Sequence, residues 1–315
     1  MKVLITGGFG YLGGRLAQFL AAQGTAEIIL GSRRQAESPP WLPQAMVVQT
    51  QWGSPISLEK ICSGVDAVIH LAGMNAQDCT VDPVAALEQN AVATARLIQA
   101  AVRQGVKRAI YLSTARVYGS PLSGLITEET CPVSLHPYAT SHHAGEHVVR
   151  AAHQRGEIEG IVIRLSNAFG APAHKDANCW MLLVNDLCRQ AVTTQRMVLR
   201  SSGLQRRDFI PLADACRAID HLLYLPVQKL TKGILNVGGE WSPTVWEVAC
   251  LVQERCEVAL ATQPELIRIP PQIGETAAAL DYRFDVLRQS GFQPGSDWPG
   301  EIDRLIEFCK ASFSR

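Results

Sequence analysis

No apolar run in the chain approaches the ~18–20 residues that a membrane-spanning helix requires, so no span is expected. Charge of one sign is equally lacking: Lys plus Arg and Asp plus Glu number 29 each. Without a basic excess no nucleic-acid surface is expected, and recognition of any phosphate falls to a few placed cations and backbone amides. Nine cysteines are present, but no Cys-x-x-Cys pair. An odd, scattered set fits reduced thiols in a cytoplasmic protein better than a disulfide framework or a zinc site. The first residues pass straight into a strand pattern, so no secretory signal is expected. Repeats and low-complexity tracts are also missing. What remains is a chain of 315 residues, 47% hydrophobic and 18% charged, a globular composition long enough for one large domain or two moderate ones.

Val3, Leu4 and Ile5 form an apolar run without polar alternation, the pattern of a strand buried on both faces. Gly7, Gly10 and Gly13 follow at Gly-x-x-Gly-x-x-Gly spacing, and Leu12, Leu16, Phe19 and Leu20 then trace a helical face. Strand, glycine turn and helix in that order predict a dinucleotide site. The glycines let the backbone approach a pyrophosphate, and the helix N-terminus presents N–H groups and positive dipole to it. Gly7, Phe9, Gly10, Tyr11, Leu12 and Gly13 are the candidate contacts. A second strand over 27–30 ends in Gly31-Ser32-Arg33-Arg34. An acid at that strand end holds a ribose 2′-hydroxyl, whereas arginine accommodates a 2′-phosphate. The acid is absent and Arg33 and Arg34 stand in its place, so NADP(H) is favoured over NAD(H).

Further strands are predicted over 46–48, 66–73, 107–112 and 161–164, with helices over 84–103 and 137–153. Leu71, Ala72 and Gly73 give the fourth strand a small-residue end over which a cofactor can pass, and Asn90 lies in the long helix. Thr114 falls just beyond the fifth strand, at the carboxyl edge where open α/β sheets collect their ligands. The alternation predicts an α/β, Rossmann-type, doubly wound parallel sheet over 1–165 that also takes in about 207–237. The remainder, 166–315, reads mainly as a smaller α/β substrate domain. Its helices are predicted over 178–191, 211–225 and 243–255, its strands over 197–200, 233–237 and 266–269, and terminal helices complete it.

With these motifs in order, the chain resembles the extended short-chain dehydrogenase/reductase family, whose members mostly act on nucleotide sugars. The resemblance spans nearly the whole length. It rests on Thr6-Gly-Gly-Phe-Gly-Tyr-Leu-Gly13, Asp66-Ala-Val-Ile-His-Leu-Ala, Ser113-Thr-Ala-Arg-Val-Tyr-Gly119, Tyr138 opening a helix, Arg164-Leu-Ser-Asn167, Arg207-Asp-Phe209 with Asp214, and Asn236-Val-Gly-Gly239. It implies Asp66 near the adenine, Thr114 and Tyr138 at the chemistry, and Asn167 and Arg207 near a nucleotide-sugar substrate. It also implies a homodimer paired through the helices over 84–103 and 138–153.

Three departures stand out. The family pattern Tyr-x-x-x-Lys is here Tyr138-Ala-Thr-Ser-His142, the third strand ends in Gln51-Trp52 where many relatives carry an aspartate, and Thr114-Ala115-Arg116 lacks the Asp-Glu pair of the dehydratases. A lysine one helical turn after the tyrosine lowers the phenol's pKa and holds the cofactor ribose. His142 is mostly neutral at pH 7 and keeps only the hydrogen bond. Tyr138 then suits donating a proton to a carbonyl better than abstracting one, which favours a ketoreductase over an epimerase. A catalytically silent cofactor-binding protein is the reading from another class. His136, His142, His143 and His147 cluster in sequence, but their neighbours match an organic cofactor, so no metal is expected. Arg200 is a second candidate for substrate phosphate, and His174, Lys175 and Asn178 fall in a loop expected to face the substrate.

Overall fold

The computed structural model describes residues 1–229 and 233–314. Seven parallel strands build the central sheet: β1 (Lys2–Thr6), β2 (Glu27–Ser32), β3 (Met46–Gln49), β4 (Ala67–His70), β5 (Arg108–Thr114), β6 (Glu159–Leu165) and β7 (Ile234–Val237). Their order is β7-β6-β5-β4-β1-β2-β3, so the chain reverses direction across the sheet between β1 and β4. That reversal opens a crevice at the carboxyl ends of the strands. Both faces are covered. Val3 and Ile5 join one core with Leu16 and Leu20 of the helix Tyr11–Gln23 and with Ile219 and Leu222 of the helix Leu212–Tyr224. Leu4 points the other way, into a core with Leu58, Leu97 and Val149. The double-sided burial explains why β1 shows no polar alternation.

A third core lies beyond the sheet, where the helices Leu183–Thr194, Val245–Leu260 and Trp298–Phe313 close around Phe169, Phe209, Val248 and Leu305. Short parallel strands, Asn167–Phe169 with Phe209–Pro211, lead from β6 into this lobe. The lobe is tied back to the glycine turn. The Tyr11 hydroxyl donates to the Gly170 carbonyl at 3.0 Å, and His174 Nε2 lies 2.9 Å from the Phe9 carbonyl while its ring stacks on Trp41.

Several boundaries differ from expectation, each for a local reason. The helix expected over 178–191 begins at Leu183, because Trp180 Nε1 donates back to the Lys175 carbonyl and holds the preceding residues as a loop. The helix over 84–103 is interrupted by a π turn, Glu88–Val92, between Pro83–Leu87 and Ala93–Arg103. Thr114 is the last residue of β5 rather than one beyond it. An unpredicted helix, Pro55–Cys62, starts from Ser54, whose hydroxyl accepts from Ser57 N, with proline in the first turn. Among the described residues no helix is long and apolar enough to cross a membrane.

Candidate active site

Gly7 makes the turn after β1. Its φ of +71° is one that L side chains rarely adopt, and an added Cβ would lie 2.8 Å from Ala72 N. Gly13 is fixed by close approach instead, since a Cβ there would stand 2.2 Å from the Gly7 carbonyl oxygen. Gly10 caps the 13-residue helix without any side-chain hydrogen bond, which leaves its first N–H groups free for an anion. The residues present thus fit a dinucleotide pyrophosphate: a bare backbone cradle against an open helix N-terminus. Tyr11 and Leu12 have only their backbones to offer there, because the Tyr11 side chain points to Gly170 and Leu12 is buried in the core. Phe9 packs edge-on against Trp41. Arg33 and Arg34 are exposed just past β2, with no carboxylate partner among the described residues.

One expected contact is corrected. Asp66 precedes β4 at the amino edge of the sheet, where its carboxylate accepts from Lys2 N at 2.8 Å. The carboxyl edge, with Gly7 and Ala72, lies at the other end of the same strands, so Asp66 holds β1 to β4 and lies far from any adenine. His174 also changes place: it sits over the glycine turn rather than toward a substrate. Arg200 is exposed, and among the described residues no hydrogen bond or ion pair joins it to a site residue.

The second half of the site hangs from the helix Pro137–Gln154. His136 caps it, its Nδ1 accepting from Tyr138 N at 3.1 Å while Nε2 reaches Thr80 Oγ1 at 3.1 Å. Tyr138 and His142, one turn apart, meet edge to face with ring centroids 4.6 Å apart. A Cβ on Gly73 would fall 3.7 Å from His142 Nε2, so the imidazole faces the strand end that the turn also borders. Its Nδ1 lies 3.0 Å from the Tyr111 hydroxyl. Asn90 reaches the same corner from the π turn. Its Oδ1 accepts from Met74 N at 2.7 Å and its Nδ2 donates to Ser141 Oγ at 3.0 Å, so its amide is spent on fixing the loop after Gly73.

Burial pushes His142 down to about 4, against a smaller opposing pull from the Leu112 carbonyl, so the ring is neutral at pH 7. His70, wedged between Thr6 Oγ1 at 2.6 Å and Thr94 Oγ1 at 2.9 Å, is pushed down to about 3 by burial and by His142. Tyr138 stands above its ordinary value through burial. Arg116 and a hydrogen bond with Thr114 pull it the other way. Among the described residues the cation that acts on the phenol is Arg116, not a residue of its own helix. Beneath this wall a buried Glu146 carboxylate takes Arg164 in two bonds, at 2.9 and 2.6 Å, and accepts from Ser113 Oγ at 2.5 Å.

On the lobe side Asn167 Nδ2 donates to the Asp208 carbonyl at 2.8 Å, which secures the segment between Arg207 and the strand Phe209–Pro211. The Arg207 guanidinium donates to the Gln205 side chain, Nη2 to Oε1 at 3.0 Å, and burial together with Arg116 lowers its pKa. Sequence reasoning missed Tyr111, Glu146 and the part played by Arg116. Of these only Arg116 carried a signal, a cation inside the Ser113–Gly119 motif.

A doubly wound sheet with an open glycine turn and a Thr–Tyr pair on one carboxyl edge defines a dinucleotide-dependent enzyme class. The chain belongs to the NAD dependent epimerase/dehydratase family, whose model matches residues 3–238. UDP-glucose 4-epimerase of Azospirillum brasilense is 29% identical over 275 residues, covering 80% of this chain and 77% of that protein. A dTDP-glucose 4,6-dehydratase of Streptomyces niveus is 24% identical and covers 98% of this chain and 93% of that protein. Among solved structures, MoeE5 in complex with UDP-glucose and NAD aligns with a TM-score of 0.79 at 24% identity, covering 100% of both chains.

Proposed function

We propose that the chain is an NADP(H)-dependent oxidoreductase of a nucleotide-linked sugar, acting as a ketoreductase with Tyr138 as proton donor. The observation that carries this reading is the protonated state of Tyr138: burial raises it, and the neighbour at the lysine position, His142, brings no charge at pH 7. A phenol so placed stands almost wholly in the proton-bearing form from which reduction starts. Thr114 holds the substrate carbonyl oxygen beside it. The glycine turn and the first N–H groups of its helix hold the pyrophosphate, and His142 bonds the ribose by hydrogen bonding alone. The cofactor, when bound, supplies the hydride.

The family description names NAD, and MoeE5 was solved with NAD. The preference for NADP(H) in this chain rests on exposed Arg33 and Arg34 and on the missing acid after β2. We assign the cofactor to 1–165 with the strand near 234–237, and the substrate mainly to 166–315. The nine free cysteines are the ground for a cytoplasmic setting. Exposed Val84, Leu87 and Val92, on the face beside the helix Pro137–Gln154, are the ground for a homodimer. Calorimetric titration with NADPH, NADP, NADH and NAD tests the reading. NADP(H) binding at least tenfold tighter, lost in R33A/R34A, supports it, and equal or NAD-selective binding refutes the arginine argument and favours epimerisation, which has no net cofactor use.

A further inference from the structure

Tyr111 is buried against His142, and its hydroxyl has no part in the chemistry assigned above. Three polar neighbours surround that oxygen: His142 Nδ1 at 3.0 Å, the Asn90 carbonyl at 3.2 Å and the His142 carbonyl at 3.4 Å. Gly145 makes room for it, since a Cβ there would stand 2.5 Å from the hydroxyl and 2.7 Å from the Asn90 carbonyl. Glycine weakens a helix interior, and here it lets the 18-residue helix close on β5 and the π turn. Burial, and after it the Glu146 charge, hold the Tyr111 phenol well above its ordinary pKa, so it keeps its one hydrogen at neutral pH. Both carbonyls already hold a donor. Asn90 O accepts the Thr94 hydroxyl at 2.7 Å, and the His142 carbonyl belongs to the backbone ladder of its helix. Nδ1 is also the nearest of the three. A neutral imidazole carries one N–H, so a ring whose Nδ1 accepts bears its hydrogen on Nε2. Nε2 is the nitrogen on the Gly73 side, 3.7 Å from where a Cβ of that residue would fall.

We propose that Tyr111 is the positioning residue of His142: its hydroxyl donates to Nδ1 and fixes the Nε2–H tautomer, so that the ring meets the cofactor ribose as a hydrogen-bond donor. This role rests on the assignment of His142 to the ribose above. A lysine ammonium has only donors to offer, and the locked imidazole reproduces that one-way offer without a charge. The other tautomer would turn a bare nitrogen to the ribose, and an unsupported ring would divide its population between the two. His70 serves as an internal reference. The Thr94 hydroxyl spends its hydrogen on Asn90 O and therefore accepts from His70 Nε2, 2.9 Å away, so His70 is held in the same tautomer by a different residue.

Long-range proton–nitrogen NMR correlation on the histidine-labelled free protein at pH 7 reads the tautomer of each neutral ring, with His142→Gln to assign the signal. His142 and His70 are both expected as Nε2–H. Tyr111→Phe removes one oxygen and keeps the ring. It should release His142 into a mixture of tautomers, leave His70 as it was, and weaken NADPH and NADP binding about tenfold in calorimetry, the scale of one hydrogen bond. Gly145→Ala, which displaces the hydroxyl without removing it, should do the same. An Nδ1–H ring in the wild type, or a His142 tautomer unmoved in folded Tyr111→Phe, overturns the inference alone. So does a dinucleotide affinity that stays unchanged once the tautomer is released. A wild type that shows Nε2–H yet binds no dinucleotide overturns the cofactor reading and this inference with it.

Discussion

A lysine in place of His142 would restore a permanent charge where the native ring carries none at neutral pH. The His142 ring lies 4.6 Å from the Tyr138 ring, centroid to centroid. An ammonium at that site stands about 5–6 Å from the phenol oxygen, which at an effective dielectric near 20 is worth about 3 kcal/mol. Solvent at the half-buried Tyr138 and the lysine's own burial oppose this, leaving roughly 1–2 pKa units. A positive charge favours phenolate, so Tyr138 falls. Below its pKa each unit multiplies the phenolate fraction tenfold. The phenolate fraction at pH 7 should then rise about ten- to a hundredfold, and kcat/KM should rise in both directions by one common, smaller factor, because the equilibrium is fixed and the base weakens as its pKa falls. The substrate-free assay is ultraviolet difference titration of the phenol, with Tyr138→Phe as blank. His142→Lys should move the Tyr138 midpoint down by about 1–2 units, and the alkaline limb of kcat/KM for oxidation should move with it. A folded, cofactor-binding variant with an unmoved midpoint refutes the claim that the native position lacks a charge.

Two further outcomes concern the buried wall. Glu146→Ala leaves the Arg164 guanidinium buried without its two-bond partner and should cost about 3–5 kcal/mol, read as a lower urea midpoint, with Glu146→Gln costing less. The acid response comes from His70 and His142, which sit at about 3 and about 4 in the fold against an ordinary 6.5. The unfolded chain binds more protons in that window, so stability is lost as pH falls from about 6.5 toward 3, by several kcal/mol at ~1.4 per unit. The thermal midpoint should drop most steeply between about pH 6 and pH 4. A flat midpoint there refutes the buried neutral state of both rings.

Much of the frame was legible in the sequence because it depends on patterns that survive folding. Val3-Leu4-Ile5 reads as a two-sided strand, and the Gly7, Gly10 and Gly13 spacing reads as a turn into a helix. Tyr138 and His142 share a helix face by periodicity alone. Asp66 failed because a motif gives the order of residues along a strand but not which edge of the sheet carries the ligand. The strands Asn167–Phe169 and Phe209–Pro211 are too short to show any period. Arg116 was visible, but its reach to Tyr138 and Arg207 exists only once β5 and the lobe strands are brought together. Asn90 was placed on its helix, yet the carbonyls and amides that occupy it come from three separate segments.

The π turn at Glu88–Val92 has a consequence for insertions and deletions. One residue more than a regular turn is stored there, and such turns are frequent at functional sites. Deleting Ala91 would let the helix from Pro83 to Arg103 run on as a regular spiral, with its backbone bonds intact. The flanking turns would keep nearly their present faces, while the side chains carried by the bulge itself would be re-aimed. Asn90 would swing away from Met74 and Ser141, and the loop bordering His142 would lose its clasp. The helix itself would improve while the site came apart, so this segment should admit many substitutions but no change in length.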